Sequence, residues 1–253
     1  FAMRRCYRQL GDSSIWTTLA LKSCSTPKSH RAASLDVYGK IEQALEAYTG
    51  LMELVENEEL SPNRFEMGFW EERWVNLQRR ECQLGVISDY AAQANDVPLM
   101  LECAWKECDW DRVRTLCSSA QVTSLIETGD PTLKMIETLS AVAEGKLSDV
   151  ENLHAQSSQL CLHKWQLLPS FSSGSVAHAR LLHNFHRLVE IRESGQIMVE
   201  TNNHLNGRTL PDLKNLLNAW RHRLPNDEEC LAMWDDIFFW RSHMFNAITS
   251  NFQ

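Results

Sequence analysis

Ile41-Glu42-Gln43-Ala44-Leu45-Glu46-Ala47-Tyr48-Thr49-Gly50-Leu51-Met52-Glu53-Leu54-Val55 places apolar side chains at 41, 44, 45, 48, 51, 52 and 55. This is the i, i+3, i+4, i+7 spacing of one helical face, so the run predicts an amphipathic α-helix. Gly39 stands just before it, where a tight helix-to-helix turn needs a residue tolerant of positive φ. An upstream helix is therefore expected to pack back against it.

Downstream the same pattern recurs between breaks. Ser61-Pro62-Asn63 is the first: Pro cannot continue a helix interior, and Asn63 can cap a helix carrying Phe65, Phe69, Trp70, Trp74 and Leu77. Gly85 and Asn95-Asp96-Val97-Pro98 read as further breaks, separating short helices around Val86–Ala94, around Leu99–Cys108 and from Asp109 onward. Gly129-Asp130-Pro131 opens another helix and Gly145 closes it. Leu147–Leu162, Val176–Asn203 and the stripe Leu210, Leu213, Leu216, Leu217, Trp220, Leu224 follow, with a Ser/Gly-rich loop at 168–175. In the last helix Leu231, Trp234, Phe238, Phe245 and Ile248 form one stripe and Met233, Ile237, Trp240 and Met244 a second, so it is expected to be sandwiched or to continue into a further layer.

No strand-like alternation appears in this pattern. About 10 to 12 helices with short connections imply antiparallel pairs that bury their faces by stacking. The expected fold is all-α, a helical-repeat (TPR/HEAT-like) α-solenoid of antiparallel helix pairs, in one continuous segment over 1–253; a compact helical bundle is the competing architecture. Composition agrees, since Gly (10) and Pro (7) are scarce and 43% of residues are hydrophobic. The chain opens at Phe1 inside a helical pattern, the expectation for a piece of something larger.

A net charge of −8 supplies no broad positive field for a phosphate backbone, so nucleic acid is not an expected direct ligand. The apolar runs are too short for a membrane span, and no Asn-x-Ser/Thr acceptor occurs. The eight cysteines contain no Cys-x-x-Cys pair and read as buried small hydrophobes in a reducing compartment.

Reactive constellations are scarce. There is neither a G-x-x-x-x-G-K-[ST] nor a G-x-G-x-x-G run to cradle phosphate; Gly39-Lys40 and Gly145-Lys146 are lone pairs at turns. His222-Arg223-Leu224-Pro225 echoes a kinase catalytic loop but lacks the Asp after the Arg, and reads as a helix end. His183, His186 and Glu190 share a helix face with His178 nearby, the most metal-like cluster; four convergent ligands are wanting and Arg187 and Arg192 oppose a cation, which favours an ordinary helix face. Ser173-Gly174-Ser175 lacks the strand-to-helix elbow that exposes a nucleophilic serine. Glu53, Glu56, Glu58, Glu59, Glu66, Glu71 and Glu72 read as a solvated rim rather than paired hydrolase carboxylates. No catalytic, cofactor-binding or metal residue is expected, and no cofactor.

The nine tryptophans are the loudest feature. Trp16, Trp70, Trp74, Trp105, Trp110, Trp165, Trp220, Trp234 and Trp240 are expected to be large packing units between helices, with a peptide-binding groove as the alternative. Several lie in distinctive runs: Phe69-Trp70-Glu71-Glu72-Arg73-Trp74, Leu101-Glu102-Cys103-Ala104-Trp105 with Trp110, Asn218-Ala219-Trp220-Arg221-His222-Arg223-Leu224-Pro225, and Trp234-Asp235-Asp236-Ile237-Phe238-Phe239-Trp240-Arg241. With Gly39-Lys40-Ile41-Glu42-Gln43-Ala44 leading to Tyr48, their order and spacing resemble the FAT region of the TRRAP family, phosphatidylinositol-3-kinase-like pseudokinases. Leu84, where that pattern has tryptophan, and the polar Lys22–Ser34 with Pro27 depart from it.

The resemblance implies a segment of a very large nuclear protein whose FAT region wraps its own pseudokinase domain. It further implies a scaffold for histone acetyltransferase coactivator complexes and a target of transcription activators. The expected partners are thus coactivator complex subunits, transcription activators and that pseudokinase domain, with no direct nucleic acid and no membrane. Two other readings stand beside it: a regulatory scaffold of an active kinase of the same group, and a freestanding helical-repeat adaptor that binds peptides.

Overall fold

The computed structural model describes residues 18–19, 21–22, 24–119, 131–168, 176–204, 213–225 and 231–250. Eleven helices account for nearly all of them: α1 (Pro27–Val37), α2 (Ile41–Glu56), α3 (Arg64–Arg80), α4 (Leu84–Ala94), α5 (Val97–Lys106), α6 (Trp110–Cys117), α7 (Pro131–Ala143), α8 (Leu147–Leu167), α9 (Val176–His204), α10 (Leu213–His222) and α11 (Leu231–Ser250). Among the described residues there is no strand. The fold is all-α, a helical repeat of hairpins.

One turn geometry builds most of these hairpins. Gly39, Glu58, Cys82, Asn95, Cys108 and Gly145 carry φ of 71, 59, 54, 51, 62 and 70°. In each case the next N–H reaches back five residues: Lys40 to the Leu35 carbonyl (3.0 Å), Glu59 to Leu54 (2.9 Å), Gln83 to Gln78 (3.0 Å), Asp96 to Ala91 (3.0 Å), Asp109 to Ala104 (3.0 Å) and Lys146 to Ala141 (2.9 Å). This left-handed cap satisfies the orphan carbonyls of one helix and reverses the chain within a few residues. Side-chain caps then start the next helix: Asn63 Oδ1 accepts from the Phe65 and Glu66 amides (2.8 and 2.9 Å), and Asp96 and Asp109 accept from Leu99 and Arg112 (3.1 and 3.0 Å).

The chain forms two compact units, residues 1–87 with 174–177, and 88–173 with 178–253. In the first, α1 packs on α2 and α2 on α3, each helix against its neighbour in sequence. Its interior holds Tyr48, Leu51, Trp70 and Leu77. In the second, α7 is central: α5, α6, α8 and α11 all pack against it, around Leu101, Met135, Leu139 and Trp240.

Several expectations need correction. Gly85 lies inside α4 and the break sits at Cys82, because the left-handed turn falls on a residue whose side chain gives no hint of it. Of the described cysteines only Cys103 and Cys161 are buried; Cys82 and Cys108 are exposed at turns, and Cys24 and Cys117 lie between. In α11 the stripe Ile237, Trp240 and Met244 is buried, as is Ile248, whereas Phe238 and Phe245 are 57% and 51% exposed, so of the two expectations for this helix the sandwich does not hold at Phe238 and Phe245 among the described residues. Trp165 is 37% exposed, its ring in edge-on contact with those of His178 and Phe185. Trp16, Cys6, Cys230, Gly129, Leu210 and the run 169–175 lie outside the described residues.

Candidate functional site: clasps built by the tryptophan and arginine runs

In α3 Phe69, Trp70, Arg73 and Trp74 each hold a neighbouring helix. Trp70 is fully buried, and its indole N–H donates to Ser29 Oγ on α1 at 2.8 Å. Arg73 donates to both Asp36 oxygens, from Nε at 2.5 Å and from its terminal nitrogen at 2.8 Å, with the Asp36 carboxylate 4% exposed. The Trp74 N–H reaches Thr49 Oγ1 on α2 at 3.1 Å, and the Phe69 ring meets the Tyr48 ring edge-on at 6.4 Å. A buried indole N–H or carboxylate left without a partner costs the full desolvation of that group, so these bonds fix where the three helices touch.

Glu66 corrects a further expectation. Assigned to a solvated rim, it is 1% exposed and accepts from the Ser25 amide at 2.9 Å and from the Ser25 hydroxyl. Burial pushes its carboxyl up, but the hydrogen bonds from Ser25, Ser29 and Thr26 outweigh that and hold it below the ordinary carboxylate range. The polar character of Lys22–Ser34 is thereby explained: Ser25 and Ser29 are the acceptors and donors that α3 requires. The other described glutamates of that rim, from Glu53 to Glu59 and Glu72, are exposed, and Glu71 is half-buried.

The second unit repeats the device with α9 at its centre. Glu193 accepts from both terminal nitrogens of Arg223 (2.7 and 2.8 Å) and from the Trp220 N–H (2.9 Å). One turn earlier Glu190, whose side chain is 3% exposed, takes a bidentate pair from Arg241 of α11 at 2.7 and 3.2 Å. The Arg241 guanidinium in turn lies 5.8 Å from the centre of the Trp220 ring. Burial pushes the Glu190 carboxyl up despite Arg241, whereas at Glu193 the bonds from Arg223 and Trp220 overcome burial and pull it down.

A third clasp joins α5, α9 and α11. Lys106, its side chain 7% exposed, bonds Asp236 at 3.0 Å and Glu102 at 3.5 Å and lies over the rings of Trp105 and Phe239, 5.8 Å from each. Burial pulls its ammonium down, but Asp236 and Glu102 more than compensate and keep it charged. Asp236 also meets Arg187 at 3.4 Å, and Arg187 sits 5.7 Å from the Trp240 ring, itself edge-on to Trp105 at 6.0 Å.

Several residues of the candidate reactive patterns are engaged in contacts of this kind. Glu190 of the metal-like cluster is committed to Arg241; His183 is buried, with its ring 6.1 Å from that of the exposed His186. Among the described residues no three His, Cys, Asp or Glu converge as metal ligands. Gly39 and Gly145 serve as turns, and Arg223 follows the end of α10 and holds Glu193. Ser173-Gly174-Ser175 lies outside the described residues.

Surface grooves lie among the described residues. One of about 330 Å³ runs between α8 and α9 past His154, Arg192 and Gly195; burial and Arg192 hold the His154 imidazole below its ordinary value. Another, about 270 Å³, is lined by Arg114, Cys117, Glu137 and Lys146, and there burial pushes the Cys117 thiol up to about 11, so it is protonated and a poor nucleophile at neutral pH.

A family model described as the FAT domain matches residues 97–252, well over half the chain. The chain belongs to the FAT domain family. Across its whole length this FAT chain is 28% identical to the transformation/transcription domain-associated protein of Danio rerio. It is 27% identical, over 98% of its length, to the SAGA complex/NuA4 acetyltransferase complex subunit TRA1 of Saccharomyces cerevisiae, and 29% identical, over 73%, to the probable transcription-associated protein 1 of Dictyostelium discoideum. It spans only about 7% of the length of the first two and 4% of the third. The TRRAP-like runs of this FAT chain are therefore the residues that tie its helices together.

The landmark residues are legible in the sequence, whereas their partners Ser29, Asp36, Thr49, Glu190 and Glu193 carry no local mark of that role. One signal was available. Trp220 near the end of α10 and Arg223 just past it stand three apart, one turn of a helical face, so the two donors are placed to meet a single acceptor on a neighbouring helix.

Proposed function

We propose that this chain is a non-catalytic scaffold segment of a transcription coactivator pseudokinase, acting within histone acetyltransferase complexes and contributing to the surface that transcription activators engage. Residues 1–253 then act as one continuous helical-repeat segment of a FAT region, in a nuclear protein. The observation that carries this reading is the internal use of the conspicuous side chains: Trp70, Arg73, Trp220, Arg223 and Arg241 each bond another helix of this chain. The end-to-end match to transcription-associated relatives supplies the biological setting. Its partners would be coactivator subunits, activators and the pseudokinase domain of the same polypeptide.

The test is affinity purification of the full-length gene product from nuclear extract, with acetyltransferase activity assayed on the eluate. Co-elution of acetyltransferase activity without kinase activity is expected. Phosphotransfer by the purified protein, together with intact catalytic-loop and metal-binding aspartates in its gene, would replace this reading with that of a regulatory scaffold of an active kinase.

A further inference from the structure

We propose that His243 is an acid-sensitive latch holding α11 to the α5–α6 hairpin: the neutral imidazole closes it and protonation opens it. His243 is 5% exposed, and its ring is boxed by Trp105 at 5.8 Å, Trp110 at 5.5 Å and Phe239 at 6.4 Å. Its Nδ1 lies 3.0 Å from Cys108 Sγ in the turn between α5 and α6, where the thiol can donate only to an unprotonated nitrogen. Its Nε2 is buried without a hydrogen-bond partner. In the tautomer with Nδ1 unprotonated, where the Cys108 thiol is the donor, a proton on Nδ1 removes that acceptor and places a charge in a space closed to water.

Among the described residues no carboxylate shifts the titration of this ring. From α5 the charged group at the box is Lys106, a cation over the same Trp105 and Phe239 rings. From the turn it is the Cys108 thiol, which burial holds protonated. Trp110 is what α6 contributes. On α11 itself Asp236 is held by Lys106 and Arg187, and α9 supplies Glu190, which is held by Arg241. On α7 Lys134 and Glu137 pair with one another. Burial keeps the His243 imidazole below its ordinary value of 6.5, outweighing a hydrogen bond with the Trp105 backbone that favours the protonated ring. The latch is fully closed above that value and is lost as pH falls through the window below it, before most carboxylates titrate.

Hydrogen exchange on the full chain at pH 7.0 and 5.5, corrected for intrinsic chemistry, reads the latch directly. Peptides covering α11 and residues 105–110 should lose protection by about tenfold at the lower pH, while α1–α3 peptides change little. The substitution His243→Phe, which keeps a ring in the box, should abolish the local pH response, and His154→Gln should leave it intact. Equal protection of α11 at both pH values in the wild-type chain would overturn the proposal, and so would a loss spread evenly over all helices. If His243→Phe does not fold, the wild-type profile alone decides.

Discussion

Ser29→Ala should destabilise the chain by about 1–3 kcal/mol, although alanine is the better helix former, because it strands the Trp70 indole N–H in a dry interior. Chemical denaturation of the two proteins checks this, and adding Trp70→Phe to Ser29→Ala should recover part of the hydrogen-bond loss. Arg241→Met is expected to be worse, by about 3–5 kcal/mol, since it takes away the bidentate partner of the Glu190 carboxylate, 3% exposed, and leaves only the charge of Arg223, which Glu193 already holds. Both side chains carry their effect through another helix, which separates them from exposed pairs such as Arg192 with Glu151. Disrupting that pair should change stability by no more than about 1 kcal/mol.

At the scale of the element, glycines of identical type have opposite roles. Gly145 sits at φ 70° in the α7–α8 turn, so Gly145→Ala forces a Cβ into the left-handed region and should cost about 1 kcal/mol. Gly85 lies in the first turn of α4 with open space around a Cβ, so Gly85→Ala should stabilise by about 0.5–1 kcal/mol. Cys82→Gly should likewise stabilise, by up to about 1 kcal/mol, because the exposed cysteine holds φ 54°. Thermal melts of the three variants read these signs.

These positions also show what the sequence could and could not disclose. The α2 stripe from Ile41, the Asn63 cap and the Gly39 and Gly145 turns were legible because period and residue type both point one way. The turns at Glu58, Cys82 and Cys108 were not, since nothing local to a Glu or Cys favours positive φ and the packing of two helices imposes it. The clasps were half legible: aromatic and arginine runs mark one partner, whereas serine, threonine and aspartate on another helix look like ordinary polar positions until the helices are brought together.

For the whole molecule, the clasps set how stability follows pH. Glu66 and Glu193 are held below their ordinary value of 4.5, so their contribution is complete above that value and lost as pH falls through their lowered folded values. Glu190 is raised and acts with the opposite sign, its contribution fading as pH rises through the folded value. His154 and His243 are lowered and lose theirs as pH falls below 6.5. Denaturation midpoints should therefore decline in two stages, a first below pH 6.5 from the imidazoles and a second below pH 4.5 from the carboxylates. Glu193→Gln should flatten the second stage and spare the first.

The family's landmark side chains hold partners on other helices of the chain. A double-mutant cycle measures this most directly, comparing the unfolding free energies of the wild-type chain, Glu190→Gln, Arg241→Met and the double variant. The clasp predicts a coupling of at least about 1.5 kcal/mol, with the double variant well short of the sum of the singles. Additivity within about 0.3–0.5 kcal/mol would contradict it and would free Arg241 to be read as a surface for something else.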